Sequence, residues 1–438
     1  MSAAVSDINQ STSLVAATIN QYVSSVSSLK KLREDALTQF QKLGLPASKN
    51  EEYKHTPVTR ILEKNFDLKA VNAASPGVDA SQYFIPKISG TILVFINGVF
   101  SPAYSTLDAG GNVTVQPLSM AVRERVEGAE ENLGRIADHS VDAFVAWNTA
   151  SWTDGTFIHV PPNTVSEEPV LIYHIHDVQA GQVISAVRNL VVVEKNSEIT
   201  ILEKFDSVGN GNGFSTLVSE AVVSENAALN WYSIQNDSGN RYHFDHKQIR
   251  QARSSRVNTY TFTLDGKLVR NNLQLSLDGE GIDSHMYGLY LVGKDTLADN
   301  HTVVDHRQPN SFSNELYKGI VEDSAKGVFN GKIFVRPNAQ KTNAFQANRN
   351  ILLSDKATVN TKPQLEIWAD DVKCSHGCTS GQLDEEALFY LQARGIGKDT
   401  ARAMMLYAFA GELLENIRHN SLREYIDELI SERLHKNF

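Results

Sequence analysis

The stretch KNSEIT, Lys195 to Thr200, places a polar turn directly before an aliphatic residue and a threonine. The cadence returns in ENAALN (225–230), RSSRVN (253–258), GEGID (279–283) and DKATVN (355–360). Its aliphatic members are Ile199, Leu229, Val257, Ile282 and Val359, so the first four follow one another by 30, 28 and 25 positions and the last by 77. The longer gap has room for two or three further units. Between these turns lie short apolar or alternating runs, among them EPVLIYHIH, RNLVVVEK, VNTYTFTL and MYGLYLV, broken by Gly, Asn, Asp and Ser. That is strand texture. A quasi-period of this length, with strands in every unit, predicts a β-solenoid whose coils stack on their neighbours. A β-sandwich with regularly spaced turns is the alternative that cadence alone leaves open.

Helical patterns flank the β region. Residues 1–90 read as a helical domain: Leu29, Leu32, Leu37, Phe40 and Leu43 recur at helical spacing, with Gly44 and Pro46 as stop signals. KNEEYKHTPV (49–58) reads as a short helix entering a turn. Residues 91–378 form the expected β core. Residues 379–438 return to helix: Asp384 is placed to cap DEEALFYLQARG, Gly395 to end it, and a second helix spans about 399–418. Ser421 and Glu424 have capping-box spacing for a third helix. The second helix, ARAMMLYAFAGELL, is apolar on more than one side. Its Met404, Met405, Tyr407 and Phe409 are candidates for contact with another protein, beside the plainer reading of burial within the module.

Composition excludes several classes. A formal charge of −10 over 438 residues, with no long basic run to offset it, argues against nucleic acid or an anionic membrane surface as partner. No positive residue precedes Lys30 and no apolar run is long enough to span a bilayer, so a cytoplasmic address is expected. GIGKDT (395–400) lacks the phosphate-loop spacing, and any ATP hydrolysis is expected from elsewhere.

The chemistry gathers at KCSHGCT (373–379), which contains both cysteines of the chain. Along a strand, Cys374, His376 and Cys378 project to one face. Thiolate and imidazole suit zinc, copper(I) or iron-sulfur chemistry, yet three ligands fall short of a closed structural site. A partner is expected to complete the set. A buried thiol and a hydrogen-bonded core histidine are the plainer readings of the same residues. For the pairs His243 with His246 and His301 with His306, a structural role is favoured over ligation.

Three blocks carry a family resemblance: DNHTVVDHRQPNSFSNELYKGIVEDSAKGVFNGKIFV (299–335), QKTNAFQANRNILLSDKATVNTKPQLEIWADDVKCSHG (340–377) and GQLDEEALFYLQARGI (381–396). Together they closely resemble the SufD branch of the SufB/SufD family, scaffold subunits of the SUF iron-sulfur cluster assembly system. KNEEYKHTPV resembles the helical N-terminal region of the same family. The resemblance implies a right-handed parallel β-helix between helical ends, pairing with a SufB paralogue through its C-terminal part. It also implies one SufC ATPase held by the C-terminal helices, and a transient iron-sulfur cluster shared with SufB, with none tightly bound in the isolated chain. Cys374 and His376 match the family's interface residues. Cys378 departs from the alanine many members have there and is left with an auxiliary thiol role. A homodimer of the isolated chain is a further possibility. The competing functions are a cytoplasmic β-helix carbohydrate-active enzyme and a zinc-bearing structural adaptor.

Overall fold

The computed structural model describes residues 2–47, 49–68, 75, 77–107 and 112–434, with side chains from residue 10 onward. Two sheets of parallel strands wind around a common interior. The first runs inward from the C-terminal edge through Lys373–Gly381, Asn343–Leu352, Phe312–Val321, Asp283–Val292, Arg256–Asp265, Ala228–Asn236, Glu198–Val208, Val170–Asp177 and Thr91–Ile96. The second runs through Thr358–Ile367, Lys326–Val335, Leu297–His306, Leu268–Leu277, Arg241–Gln251, Gly213–Val223, Val183–Val193 and Thr156–Val160. Among the described residues, the only antiparallel strand pairings are those of Val99–Phe100 and Thr114–Pro117, at the other end, beside one isolated antiparallel bridge between Ile92 and Thr106. The result is a β-solenoid of about 8 turns, not a sandwich.

The cadence has a physical origin in one corner of the coil. Asn163, Asn196, Asn226, Ser254, Gly281, Asn310 and Lys341 occupy that corner in successive coils, all with φ between 57° and 66°. Left-handed backbone favours Gly and Asn, which explains much of the turn composition. The conformation is held by the next coil. Asn196 N–H donates to Glu225 O at 3.1 Å, Asn226 to Arg253 O at 3.0 Å, Ser254 to Glu280 O at 2.8 Å and Lys341 to Asp371 O at 2.6 Å. Asn226 Nδ2 also donates to Asn196 Oδ1 at 3.0 Å, and Asn196 Nδ2 to Asn163 Oδ1 at 2.8 Å.

Ile199, Leu229 and Val257 form one in-register interior column, continued by Ser284, Ser313, Ala344 and Cys374. Ile282 lies in the corner just before its strand, and Val359 lies in the second sheet opposite Gly327. The 77-residue gap therefore spans two coils and a change of sheet. Aliphatic interior positions run the length of the solenoid, from Leu93 and Ile172 through Leu229 and Leu275 to Ile333. Each outer face has its own helical cover. Ser2–Ser25, Lys30–Leu43 and Val58–Asn65 place Val15, Ile19 and Phe40 near Phe214, Tyr242 and Phe244 on one face. The C-terminal helices set Leu406, Leu413, Ile426 and Ile430 against Tyr232, Tyr260 and Tyr287 on the other.

Local signals account for several boundaries. Gly44 and Gly395 adopt positive φ at helix ends, 68° and 87°. Asp384 Oδ1 caps Glu385–Ala393, accepting from Glu386 N at 2.9 Å and Ala387 N at 3.2 Å. The second C-terminal helix is Lys398–Leu414, shorter than expected at its C-terminal end. The third, Asn420–Arg433, is capped by His419 Nδ1 rather than by Ser421, which lies inside it. The last four residues of the expected C-terminal module, 435–438, lie outside the described residues. Within the expected all-β stretch, Leu118–Glu124, Ala129–Asn132 and Ala143–Ser151 are helical. AFVAWNTAS is buried from Ala143 to Ala150, so it carries no amphipathic signature to betray it.

Candidate functional site at the open end of the solenoid

Lys373–Gly381 is the last strand of its sheet, and among the described residues nothing pairs with its outer edge. Its inner edge matches Asn343–Leu352 in parallel register: Ala344 with Cys374, Gln346 with His376, Asn348 with Cys378 and Asn350 with Ser380. Those four partners are buried interior residues, at 0%, 3%, 0% and 4% exposure. Cys374, His376 and Cys378 therefore continue interior columns into a coil that has no coil beyond it. Period-two geometry does bring the three onto one face.

Their environments differ. Cys374 is half-buried and packs against the end of the aliphatic core. Burial pushes its thiol up, partly offset by a hydrogen bond from the Ala344 backbone. His376 and Cys378 are exposed, and both cysteines are free. Among the described residues no group of three His, Cys, Asp or Glu side chains is arranged to hold a metal ion by itself. The donor types suit a soft or borderline metal, while their number leaves the set open.

Polar groups stand behind this face. Gln346 Nε2 donates to Glu315 Oε2 at 2.7 Å one coil further in. Burial raises the Glu315 carboxyl to about 7. Beneath Cys378, Asn350 Nδ2 donates to Asn348 Oδ1 at 2.8 Å and reaches Ser380 Oγ at 3.4 Å, and the Tyr290 hydroxyl donates to Asn350 Oδ1. None of this was visible as a motif. The signal that finds it is the coil period: Gln346 precedes His376 by 30 residues and Glu315 precedes Gln346 by 31.

An apolar fringe borders the open end. Phe345, Ile367 and Trp368 are exposed there at 37%, 40% and 48%. Trp368 stacks on Phe334 with the Arg336 guanidinium over both rings.

The C-terminal helices divide into covered and open faces. In Lys398–Leu414, Ala401, Leu406, Ala410 and Leu413 are buried. Met404 is exposed and Met405 half-buried. Tyr407 is half-buried, and its hydroxyl donates to Asp427. Phe409 turns toward the solenoid: its carbonyl accepts from Lys318 Nζ at 2.7 Å and its ring lies 4.5 Å from that ammonium. The four candidates of this helix therefore do not form one face. Glu385–Ala393 buries none of its residues, and Phe389 and Tyr390 are 72% and 57% exposed. Sequence reasoning passed over these two because DEEALFYLQARG reads as an ordinary module helix.

The histidine pairs separate. His243 faces the interior, where Ser215 Oγ meets its Nδ1 at 2.7 Å, and burial pushes its imidazole down to about 3. His246, three residues on, faces the N-terminal cover. His301 bridges Glu52 and Asp299, whereas His306 Nε2 meets Ser313 Oγ inside the solenoid at 2.9 Å.

Residues 175–409 match the model of the SUF system FeS cluster assembly SufBD core domain, and residues 12–172 match the SufBD protein N-terminal region. The chain belongs to the SufBD family. It is 34% identical over 415 residues to an iron-sulfur cluster assembly SufBD family protein of Synechocystis sp., covering 92% of this chain and 91% of that one. It is 30% identical to the iron-sulfur cluster assembly protein SufD of Escherichia coli over 400 residues, 91% of each chain. The SufD of Bacillus subtilis is 25% identical over 431 residues, 93% of this chain and 94% of that one. Membership in this family supports a role in SUF iron-sulfur cluster assembly. Among the described residues no helix is long and apolar enough to cross a membrane.

Proposed function

We propose that this SufBD chain is a non-catalytic scaffold that pairs end to end with a SufB paralogue and builds a nascent iron-sulfur cluster at the junction. One observation carries the reading: soft ligands occupy interior ladder positions on the terminal strand, where the interior opens to solvent. A second solenoid docked on that end covers the apolar fringe and the unpaired strand edges, and supplies the missing ligands. Cys374 and His376 are the ligands from this side, His376 foremost, with Cys378 an auxiliary thiol. The cluster is cargo, transient and shared, with none retained by the isolated chain. The C-terminal helices hold a SufC-type ATPase, which supplies the hydrolysis, and the cytoplasm is the place of work. Without the paralogue, the same open edge accepts a second copy of the chain as a homodimer.

The test is co-expression with SufB and SufC homologues, followed by iron and sulfide analysis of the purified complex. His376→Ala and Cys374→Ser should leave the complex assembled while cluster content falls, and Cys378→Ala should be milder. Full cluster content in the Cys374→Ser, His376→Ala double variant rejects the shared site. Loss of folding in either single variant supports the plainer core role.

A further inference from the structure

The column that ends at His376 runs inward through Gln346, Glu315 and Met286, each in register with the next. Gln346 and Glu315 are buried at 3% and 1% exposure, and the carboxamide Nε2 is committed to Glu315 Oε2 at 2.7 Å. Gln346 Oε1 is buried and has no hydrogen-bond partner in the fold. A buried carbonyl left unpaired costs about 1–3 kcal/mol, so such a group calls for a donor. The oxygen and nitrogen of a carboxamide project to opposite sides of its axis. With Nε2 committed to the coil of Glu315, Oε1 is the carboxamide atom left to serve a donor from the adjoining coil of His376. Neighbouring strands lie about 4.8 Å apart, a separation that a ring nitrogen and a carboxamide oxygen on paired residues can close to hydrogen-bond distance.

The space around Gln346 is shaped for this arrangement. Gly331 faces it from the opposite sheet, and a Cβ at that position would fall 2.2 Å from Gln346 Nε2 and 2.8 Å from its Cδ. Any larger residue at 331 displaces the amide from Glu315.

We infer that Gln346 is a positioning residue for His376: the exposed imidazole turns inward on its strand to give one ring N–H to the unpartnered Oε1, leaving the outward nitrogen unprotonated and directed at the junction. Glu315 anchors the amide and so sets which end faces the histidine. Histidines that bind metals generally donate their second nitrogen to such an oxygen, which fixes the tautomer and raises the basicity of the ligating nitrogen. The inference rests on the reading of His376 as a ligand in cluster assembly. Neither Gln346 nor Glu315 touches the cluster itself.

Long-range ring ¹⁵N–¹H correlation of His376 in the isolated, full-length, labelled chain tests the contact without any cluster. The wild type should show one protonated and one unprotonated ring nitrogen. In Gln346→Leu the two shifts should move toward each other as the tautomers mix. Gly331→Ala should have the same effect with residues 346 and 376 untouched, which covers the case in which Gln346→Leu fails to fold. In the complex with SufB and SufC homologues, both variants should lower cluster content about tenfold, the usual consequence of losing such a partner. A His376 spectrum unchanged in both variants overturns the inference, even where His376→Ala abolishes the cluster. A tautomer change in both, with full cluster content in His376→Ala, rejects the assembly reading instead and leaves the contact standing.

Discussion

Arg188 and Glu220 lie on neighbouring coils with neither side chain exposed, the guanidinium Nη2 2.7 Å and Nε 3.0 Å from the carboxylate Oε2. The pair fastens a segment outside the solenoid to its outer face. Glu220 accepts from the backbone N–H groups of Gly134, Ile136 and Ala137 at 2.8–2.9 Å, and Arg188 Nη1 donates to Thr149 Oγ1 at 2.9 Å. Removing one partner strands a buried charge, which costs about 3–5 kcal/mol. Glu220→Ala should therefore lower the denaturation midpoint sharply and open residues 118–151 to proteolysis. Unchanged protection of that segment would contradict the fastening role.

Glu315 is expected to make stability depend on pH in the direction opposite to a salt-bridged acid. Its carboxyl is raised to about 7 by burial, so the unfolded form releases its proton first. The folded state is favoured below the ordinary carboxylate range, and that advantage is lost as pH rises from about 4.5 through about 7. The whole effect is on the order of 3 kcal/mol. Glu315→Gln should flatten this part of the stability profile and raise the melting temperature at pH 8 relative to wild type. Parallel profiles for the two proteins would show that Glu315 stays charged in the fold.

The two thiols should react at different rates. Cys378 is exposed, whereas Cys374 is half-buried and its thiol is pushed up by that burial. Access favours Cys378, and the raised thiol of Cys374 holds back its own thiolate. Mass spectrometry of the isolated chain under limiting iodoacetamide should find Cys378 alkylated severalfold faster. Docking a partner on the open end should protect both, and equal rates in the isolated chain would contradict the burial of Cys374.

Phe389 and Tyr390 project from a helix that buries none of its residues. Large exposed aromatics of this kind are where binding energy concentrates, at about 2 kcal/mol or more for a residue at the centre of an interface. Phe389→Asp with Tyr390→Asp should leave the melting temperature unchanged while weakening ATPase association at least about 30-fold. Lys318→Met differs in kind. It removes the ammonium held by the Phe409 carbonyl and Glu412, so it should loosen the C-terminal helices on the solenoid, read as faster amide exchange across Lys398–Leu414. Binding that survives the double substitution would move the docking surface to another face of the helical module.

What the sequence determined by itself is local. The corner cadence follows from left-handed backbone at one position per coil, and Asn196 and Asn226 mark it wherever the residue type matches the conformation. Ser254 and Lys341 adopt the same corner without that composition, held by donors to the next coil, so the repeat fades in sequence while the coil persists. The common face of Cys374, His376 and Cys378 was likewise legible, because alternation along a strand needs no knowledge of neighbours. The helix Ala143–Ser151 was not, since burial on all sides erases the periodicity that marks a surface helix. Only the tertiary structure decided that the three-residue face is the interior of an uncovered coil, that Phe409 turns inward while Phe389 stays open, and that Gln346 and Glu315 stand behind His376. The turn of Phe409 depends on how its helix docks against Lys318, and the other two relations on register between strands about thirty residues apart. Register is set by which side chains of one coil bury against the next and by the turns between them, a match between coils that no single stretch encodes.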